Sequence, residues 1–119
     1  MQPEQRDAAY LWDMLQAARE VESMLEDHDL ASFLGNLILL RAVERGVEII
    51  GEAARRVSQP YMAAHPEILW RKIIGQRNIL AHEYGQIDYE LLYKTAVDDI
   101  PELMQQLQAL LPPLEENEL

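Results

Sequence analysis

The constraint that bears hardest on the fold is spacing. Every long segment repeats its apolar residues at intervals of three and four, and none alternates with a period of two. From about Asp7 to Asp27 the series is Leu11, Met14, Ala18, Val21 and Leu25, the stripe of an amphipathic helix with one buried side. A longer series, Phe33, Leu37, Leu40, Val43, Val47, Ile50, Ala54 and Val57, predicts a second helix from an N-cap at Ser32 to about Val57. Its other side carries Arg41, Glu44, Arg45, Glu48, Glu52 and Arg55, at spacings that permit i,i+3 and i,i+4 ion pairs. Gly46 and Gly51 fall inside this helix. Each costs up to about 1 kcal/mol relative to alanine, and a close crossing with another helix, ahead of a gentle kink, is the expected reason for both.

Ser58-Gln59-Pro60 ends that element, because proline cannot continue the hydrogen-bond ladder. Residues 58–66 read as a loop with one short turn near 61–64. Pro66 reads as the first residue of a third helix, which bears Ile68, Leu69, Ile73, Ile74 and Leu80 and stops at Gly85. Asp88 is placed to cap a fourth helix carrying Leu91, Leu92, Thr95, Val97, Ile100, Leu103, Leu107 and Leu110. Pro101 should kink or restart that helix, and Pro112-Pro113 should end it. Four helices joined by short connections predict an all-α, up-and-down four-helix bundle over residues 1–111, followed by an acidic tail at 112–119. The apolar supply exceeds what one small bundle needs, so a helix-mediated homodimer is expected.

Composition works mainly by exclusion. A chain of 119 residues with 49% apolar content is one domain with a real core. It has no cysteine, which removes disulfides, thiolate catalysis and Cys-based zinc sites. The N-terminus lacks the layout of a signal peptide, and no apolar run approaches membrane-spanning length. A soluble cytoplasmic protein is the expectation. Ten basic against 21 acidic residues give a net charge of −11, which argues against broad nucleic-acid binding. The distribution is uneven. Residues 1–30 carry two basic and eight acidic groups, 31–76 six and four, and 77–119 two and nine. The middle segment is therefore either a helix face laced with ion pairs or a local basic groove in an acidic body.

The chemistry concentrates in Arg77-Asn78-Ile79-Leu80-Ala81-His82-Glu83-Tyr84. A guanidinium is a planar fork of donors suited to phosphate, and an imidazole moves protons near neutral pH. Five residues on an ideal helix put Arg77 and His82 about 140° apart, so they do not share a face. Either the helix loosens near 82–85, or a second copy of the motif completes the site across a two-fold axis. Such a cleft could cut RNA without metal. His82 would serve as base on the ribose 2′-hydroxyl or as acid on the leaving oxygen. Arg77 would neutralise charge on the phosphoryl oxygens. Asn78 could donate to phosphate, and Tyr84 could stack on a base or bond a phosphate oxygen. The bland alternative is that a helical histidine is structural, that Arg77 pairs with Glu83 and that Tyr84 packs. His28 and His65 lie in connections without metal-ligand spacing, and the site as read calls for no metal or cofactor.

Further residues carry a resemblance. Arg6-Asp7, Tyr10-Leu11 and Asp13-Met14-Leu15 open the series. Arg41-Ala42-Val43-Glu44-Arg45 and Ile49-Ile50-Gly51-Glu52-Ala53 follow in the long helix. His65-Pro66-Glu67-Ile68, Trp70, Ile73-Ile74-Gly75, Arg77-Asn78, His82-Glu83-Tyr84 and Ile87-Asp88 complete it. In this order, over roughly residues 6–107, the chain resembles the HepT-like branch of the HEPN superfamily, small all-helical proteins often encoded beside a minimal nucleotidyltransferase. One departure is Leu69, where the family often has proline before the tryptophan. The resemblance implies an R-x4-H-x-Y site of Arg77, His82 and Tyr84 in a homodimer cleft. It also implies metal-independent ribonuclease activity as the toxin of a toxin–antitoxin pair. It implies silencing by an MntA-like nucleotidyltransferase that attaches AMP to Tyr84, placing negative charge and bulk where RNA phosphate would sit. Glu52 then becomes a candidate orienting residue for Arg77 or for an arginine of the long helix. Its plainer role is an ion pair with Arg55 or Arg56. The competing function is a non-catalytic subunit that binds nucleotide or docks a nucleotidyltransferase.

Overall fold

In the computed structural model, which describes residues 3–76 and 87–111, the elements are all helices. They are α1 (Pro3–Leu25), α2 (Leu30–Leu34), α3 (Leu37–Arg56), α4 (Gln59–Ala64), α5 (Trp70–Ile74) and α6 (Tyr89–Leu110). The three long helices form the frame: α1 packs on α3 and on α6, α2 bridges α3 and α6, and α5 lies on α3. The core is the apolar stripes meeting. Met14, Ala18 and Val21 of α1 face Val43, Ile50 and Ala54 of α3 and Leu92 and Leu107 of α6 in one buried cluster.

The two internal glycines are where helices touch. A Cβ at Gly46 would overlap the Val21 side chain, and one at Gly51 would stand 3.1 Å from the Ile73 carbonyl. A side chain at Gly46 would force a shift and one at Gly51 would crowd the Ile73 backbone, so the helix-propensity cost is offset by the α1–α3 and α3–α5 packing that glycine permits.

Four local expectations need correction. The long helix does not begin at Ser32. Asp29 caps α2 instead, its Oδ1 accepting from the Ser32 N–H at 2.8 Å. Asn36 then caps α3, accepting from the Leu39 N–H at 3.1 Å. An asparagine in extended conformation (φ −124°, ψ 97°) breaks the ladder and restarts it with its own side chain. The restart takes Leu37 out of the buried stripe, and it is 63% exposed. Second, the additional short turn or helix expected near 61–64 starts earlier, as the six-residue helix α4 from Gln59, capped by the Ser58 hydroxyl. Third, the next helix begins at Trp70, not Pro66. The His65 carbonyl, which a helix starting at Pro66 would need, is taken by the Ile68 N–H at 3.3 Å and by the Trp70 indole N–H at 3.0 Å. Fourth, α6 runs unbroken through Pro101. Val97, whose carbonyl loses its partner there, is 44% exposed, so water can take that bond.

Side-chain clamps join the ends. The buried Asp7 carboxylate accepts from the Ser58 N–H at 2.8 Å and from the Ser58 hydroxyl at 2.7 Å, tying α1 to the start of α4. The Tyr93 hydroxyl donates to the His28 carbonyl at 3.1 Å, and Lys72 pairs with Asp99 at 3.0 Å. The residues expected to finish the third helix and to form the tail, 77–86 and 112–119, lie outside the described residues.

Gly46→Val should overpack the α1–α3 crossing and lower unfolding free energy by about 1–3 kcal/mol in urea titration. Adding Val21→Ala should recover part of that loss, giving a coupling of at least about 0.5 kcal/mol. Strict additivity would mean that the crossing is not the contact described.

Candidate functional site

Arg77, Asn78, His82 and Tyr84 lie outside the described residues. What the structure does place is the frame on either side of them. Gly51 lets α5 close on α3, and the chain then reaches Gln76, which is only 7% exposed. Gln76 lines a cleft of about 100 Å³ with Glu44, Glu48, Glu52 and Arg55 of α3 and with Leu92 of α6. The chain is described again from Ile87, which packs against the core. Asp88 caps α6 by accepting from the Leu91 N–H at 3.1 Å. The two ends of the motif segment therefore meet the same polar face of α3.

That face is an ion-pair ladder. Arg45 reaches Glu48 at 3.2 Å and Glu52 at 3.3 Å. Arg41 lies 3.6 Å from Glu44. The charges alternate at helical spacing and neutralise one another locally. The cleft wall is consequently not the basic groove that the middle segment's arginines permitted: three glutamates and one arginine line it. Glu52 meets Arg45 among the described residues, seven positions back along the same helix. The hydrogen bond that Arg45 donates to Glu48, and then the charge of Glu52, hold the Arg45 proton more firmly than usual.

One residue here was missed at the level of sequence. The Tyr89 hydroxyl donates to Glu44 Oε1 at 2.8 Å and accepts from Arg41 Nη1 at 2.7 Å. Its phenol is pushed above its usual range, first by burial and then by the hydrogen bond to Glu44, with Arg41 opposing. Spacing could not have found this group, because its partners lie 45 and 48 positions away. Tyr61 is shifted in the same direction by burial, with Asp7 and Glu67 adding to it. Its ring lies 4.3 Å from that of His65. His65 Nδ1 is 3.4 Å from Glu67, and His28 Nδ1 is 3.0 Å from the Ser32 hydroxyl. Among the described residues no group of three His, Cys, Asp or Glu side chains is placed to hold a metal ion, and no helix is long and apolar enough to cross a membrane.

The sign of the Tyr89 shift fixes a pH dependence. A phenol whose folded pKa is raised stabilises the fold fully below its unfolded value of about 10, and loses that stabilisation as pH rises through the folded value. In an absorbance titration of tyrosinate, the wild type should keep a protonated fraction above about pH 10 that shrinks in Tyr89→Phe. Superimposable normalised curves would contradict the bonding described.

Comparison with known proteins adds the family. The model of the "Ribonuclease HepT-like" family matches residues 14–110, a span that begins in α1, runs across the motif and ends with α6. A Methanocaldococcus jannaschii protein provisionally named an RNase is 37% identical over 84% of this chain and 92% of its own. A Thermococcus cleftensis protein with the name "Probable ribonuclease HepT" is 35% identical over 85% of this chain and 92% of its own. A Caldanaerobacter subterraneus protein, also provisionally named an RNase, is 31% identical over 86% of this chain and 91% of its own. No solved structure matches. The family model spans most of the chain, and relatives of 35–37% identity cover more than four fifths of it: this chain belongs to the HepT-like ribonuclease family.

Proposed function

We propose that this chain is a metal-independent endoribonuclease and the toxin of a toxin–antitoxin pair, acting as a homodimer through Arg77, His82 and Tyr84. The observation that carries this is that the R-x4-H-x-Y series is complete and lies inside the matched span of a ribonuclease family. The frame supports it. Both ends of the segment reach one face of α3, where Arg41 and Arg45 are engaged by glutamates and Arg55 lines the cleft. Arg77 is then the cation available to a phosphate in the motif itself.

The step balances without metal. His82 takes the proton of a ribose 2′-hydroxyl, and the 2′-oxygen attacks the adjacent phosphorus. The bond from phosphorus to the 5′-oxygen breaks, leaving a 2′,3′-cyclic phosphate, and the departing 5′-oxygen takes up a proton to become a hydroxyl. Positioned proton transfer contributes roughly 10²–10⁴ in rate. Arg77, with Asn78 beside it, stabilises the charge gathering on the non-bridging oxygens. A second copy related by a two-fold axis would bring a second Arg77 and His82 to the same opening, which resolves their roughly 140° separation on one helix. Glu52 is assigned an orienting role, and the arginine it meets among the described residues is Arg45.

Silencing follows from the same chemistry. The Tyr84 phenolate attacks the α-phosphorus of ATP on a partner nucleotidyltransferase, and pyrophosphate leaves. Each AMP so added puts a phosphodiester charge at the mouth of the site and repels the RNA backbone.

Purified protein should cut single-stranded RNA in the presence of EDTA, and His82→Ala should reduce the rate by about 10²-fold or more. With His82 as the base, the wild-type rate should climb across about pH 5 to 8. Equal cutting by His82→Ala, or a flat profile, would remove this mechanism. Tight nucleotide binding with no turnover of RNA would instead favour a nucleotide-binding or partner-docking subunit. Co-expression with the cognate nucleotidyltransferase should raise the intact mass by one or more AMP units, and Tyr84→Phe should abolish the increase. An unmodified wild-type mass would count against Tyr84 as the switch.

A further inference from the structure

Gln76 is a polar residue in a buried position. It is 7% exposed, yet its side-chain amide makes no hydrogen bond among the described residues. No buried side-chain nitrogen or oxygen among those residues lacks a partner. The amide is therefore not sealed in, and what remains accessible of Gln76 opens into the two cavities it lines. In the cavity against α6, Asp99 and Gln106 are already spent. Asp99 holds Lys72 at 3.0 Å, and the Gln106 amide donates to the Glu67 carbonyl at 3.0 Å.

The cavity against α3 offers more. Its volume of about 100 Å³ is room for several waters, enough to take the edge of a flat ring. Glu44 and Glu48 stand one helical turn apart on its wall, each with a side chain only 23% exposed. One oxygen of each is taken, Glu44 Oε1 by Tyr89 and Glu48 Oε2 by Arg45. The second oxygen of each is left as an acceptor. Val47, Ile74 and Leu92 supply apolar wall between these groups. The charge around the cavity balances: Glu44, Glu48 and Glu52 are matched by Arg41, Arg45 and Arg55. A locally neutral cavity favours neither a bare cation nor a phosphate. It suits a neutral, flat ligand with apolar faces and an edge of donors. Unpaired RNA bases are such ligands, read by hydrogen bonds to their edges between aromatic or apolar side chains.

We propose that this cavity reads a guanine base of the RNA substrate, with Gln76, Glu44 and Glu48 as specificity-determining residues; that the base belongs to RNA rests on the ribonuclease reading above. Guanine sets two donors side by side, N1–H and the 2-amino group, next to the acceptor O6. The two carboxylates take the donors, and the Gln76 amide donates to O6. Adenine and cytosine place a single amino group beside ring acceptors, and uracil places one N–H between two carbonyls. Each would leave a carboxylate facing an acceptor, and a buried polar group left unmet is costly.

Nucleosides carry no phosphate and so probe the cavity alone. In calorimetric titrations of the full-length protein, guanosine should bind at least about tenfold more tightly than adenosine, cytidine or uridine. Inosine, which lacks the 2-amino group, should fall between. Gln76→Met keeps the length of the side chain and removes the amide, and Glu48→Gln replaces an acceptor pair with an amide. Each should weaken guanosine about tenfold and leave the weaker nucleosides within about twofold. Equal affinity for the four nucleosides, no binding of guanosine at millimolar concentration, or guanosine affinity indifferent to both variants would overturn the proposal. In single-stranded RNA, mapped cuts should keep a guanosine at one fixed position relative to the scissile bond. Inosine at that position should lower kcat/KM about tenfold. Cuts indifferent to guanosine would overturn the assignment to RNA. If the wild type cuts no RNA, the ribonuclease reading fails, and the nucleoside titrations still decide whether the cavity holds a base.

Discussion

The contact on which the rest depends is the crossing of α3 over α1, where Gly46 leaves room for the Val21 side chain and nothing larger. This crossing fixes the rotation of α3 about its own axis. Rotation in turn decides which residues are core and which are site. With Val43, Ile50 and Ala54 turned inward, Arg41, Glu44, Arg45, Glu48 and Glu52 are turned toward the surface where the motif segment begins and ends. Gly51, five residues on, repeats the device against α5 and draws the incoming end of that segment onto the same helix. A helix built around two glycines is intrinsically weaker by roughly 1–2 kcal/mol. Its packing replaces that with close contacts that no other residue allows.

The electrostatics follow from the same rotation. An RNA-cutting protein of net charge −11 cannot attract its substrate from a distance by bulk charge. On the described face of α3 Arg41 and Arg45 are matched by glutamates, and the cleft wall carries three glutamates beside Arg55. In the proposed site the cation offered to phosphate is Arg77. Under the proposed silencing, one phosphodiester added at Tyr84 would be a large change of charge in a small region.

Legibility was uneven, for physical reasons. The stripes of α1, α3 and α6 were plain, because a helix that buries one side must repeat its apolar residues at its own period. The Asp88 cap and the role of the internal glycines were plain too, since each follows from one local rule. The break at Asn36 was not: Phe33 and Leu37 continue the stripe by spacing, and only the asparagine's side-chain bond to Leu39 ends one helix and begins another. The start at Trp70 was hidden likewise, because a favourable first-turn proline at 66 lost to a tertiary demand on the His65 carbonyl. Of the candidate site, Arg77, Asn78, His82 and Tyr84 were legible as a motif, and Glu52 as a ladder member. The Tyr89 clasp and the Asp7–Ser58 clamp were not, because each joins groups 45 or more residues apart and neither leaves a local pattern.

The central claim is that an imidazole and a guanidinium cut RNA through its own 2′-hydroxyl. The most direct measurement is cleavage of an oligonucleotide identical to a good substrate except for a single 2′-deoxy sugar on the 5′ side of the scissile phosphate. The account predicts that this linkage survives while the all-RNA strand yields 2′,3′-cyclic phosphate ends. Cleavage of the substituted linkage at the unmodified rate would contradict it.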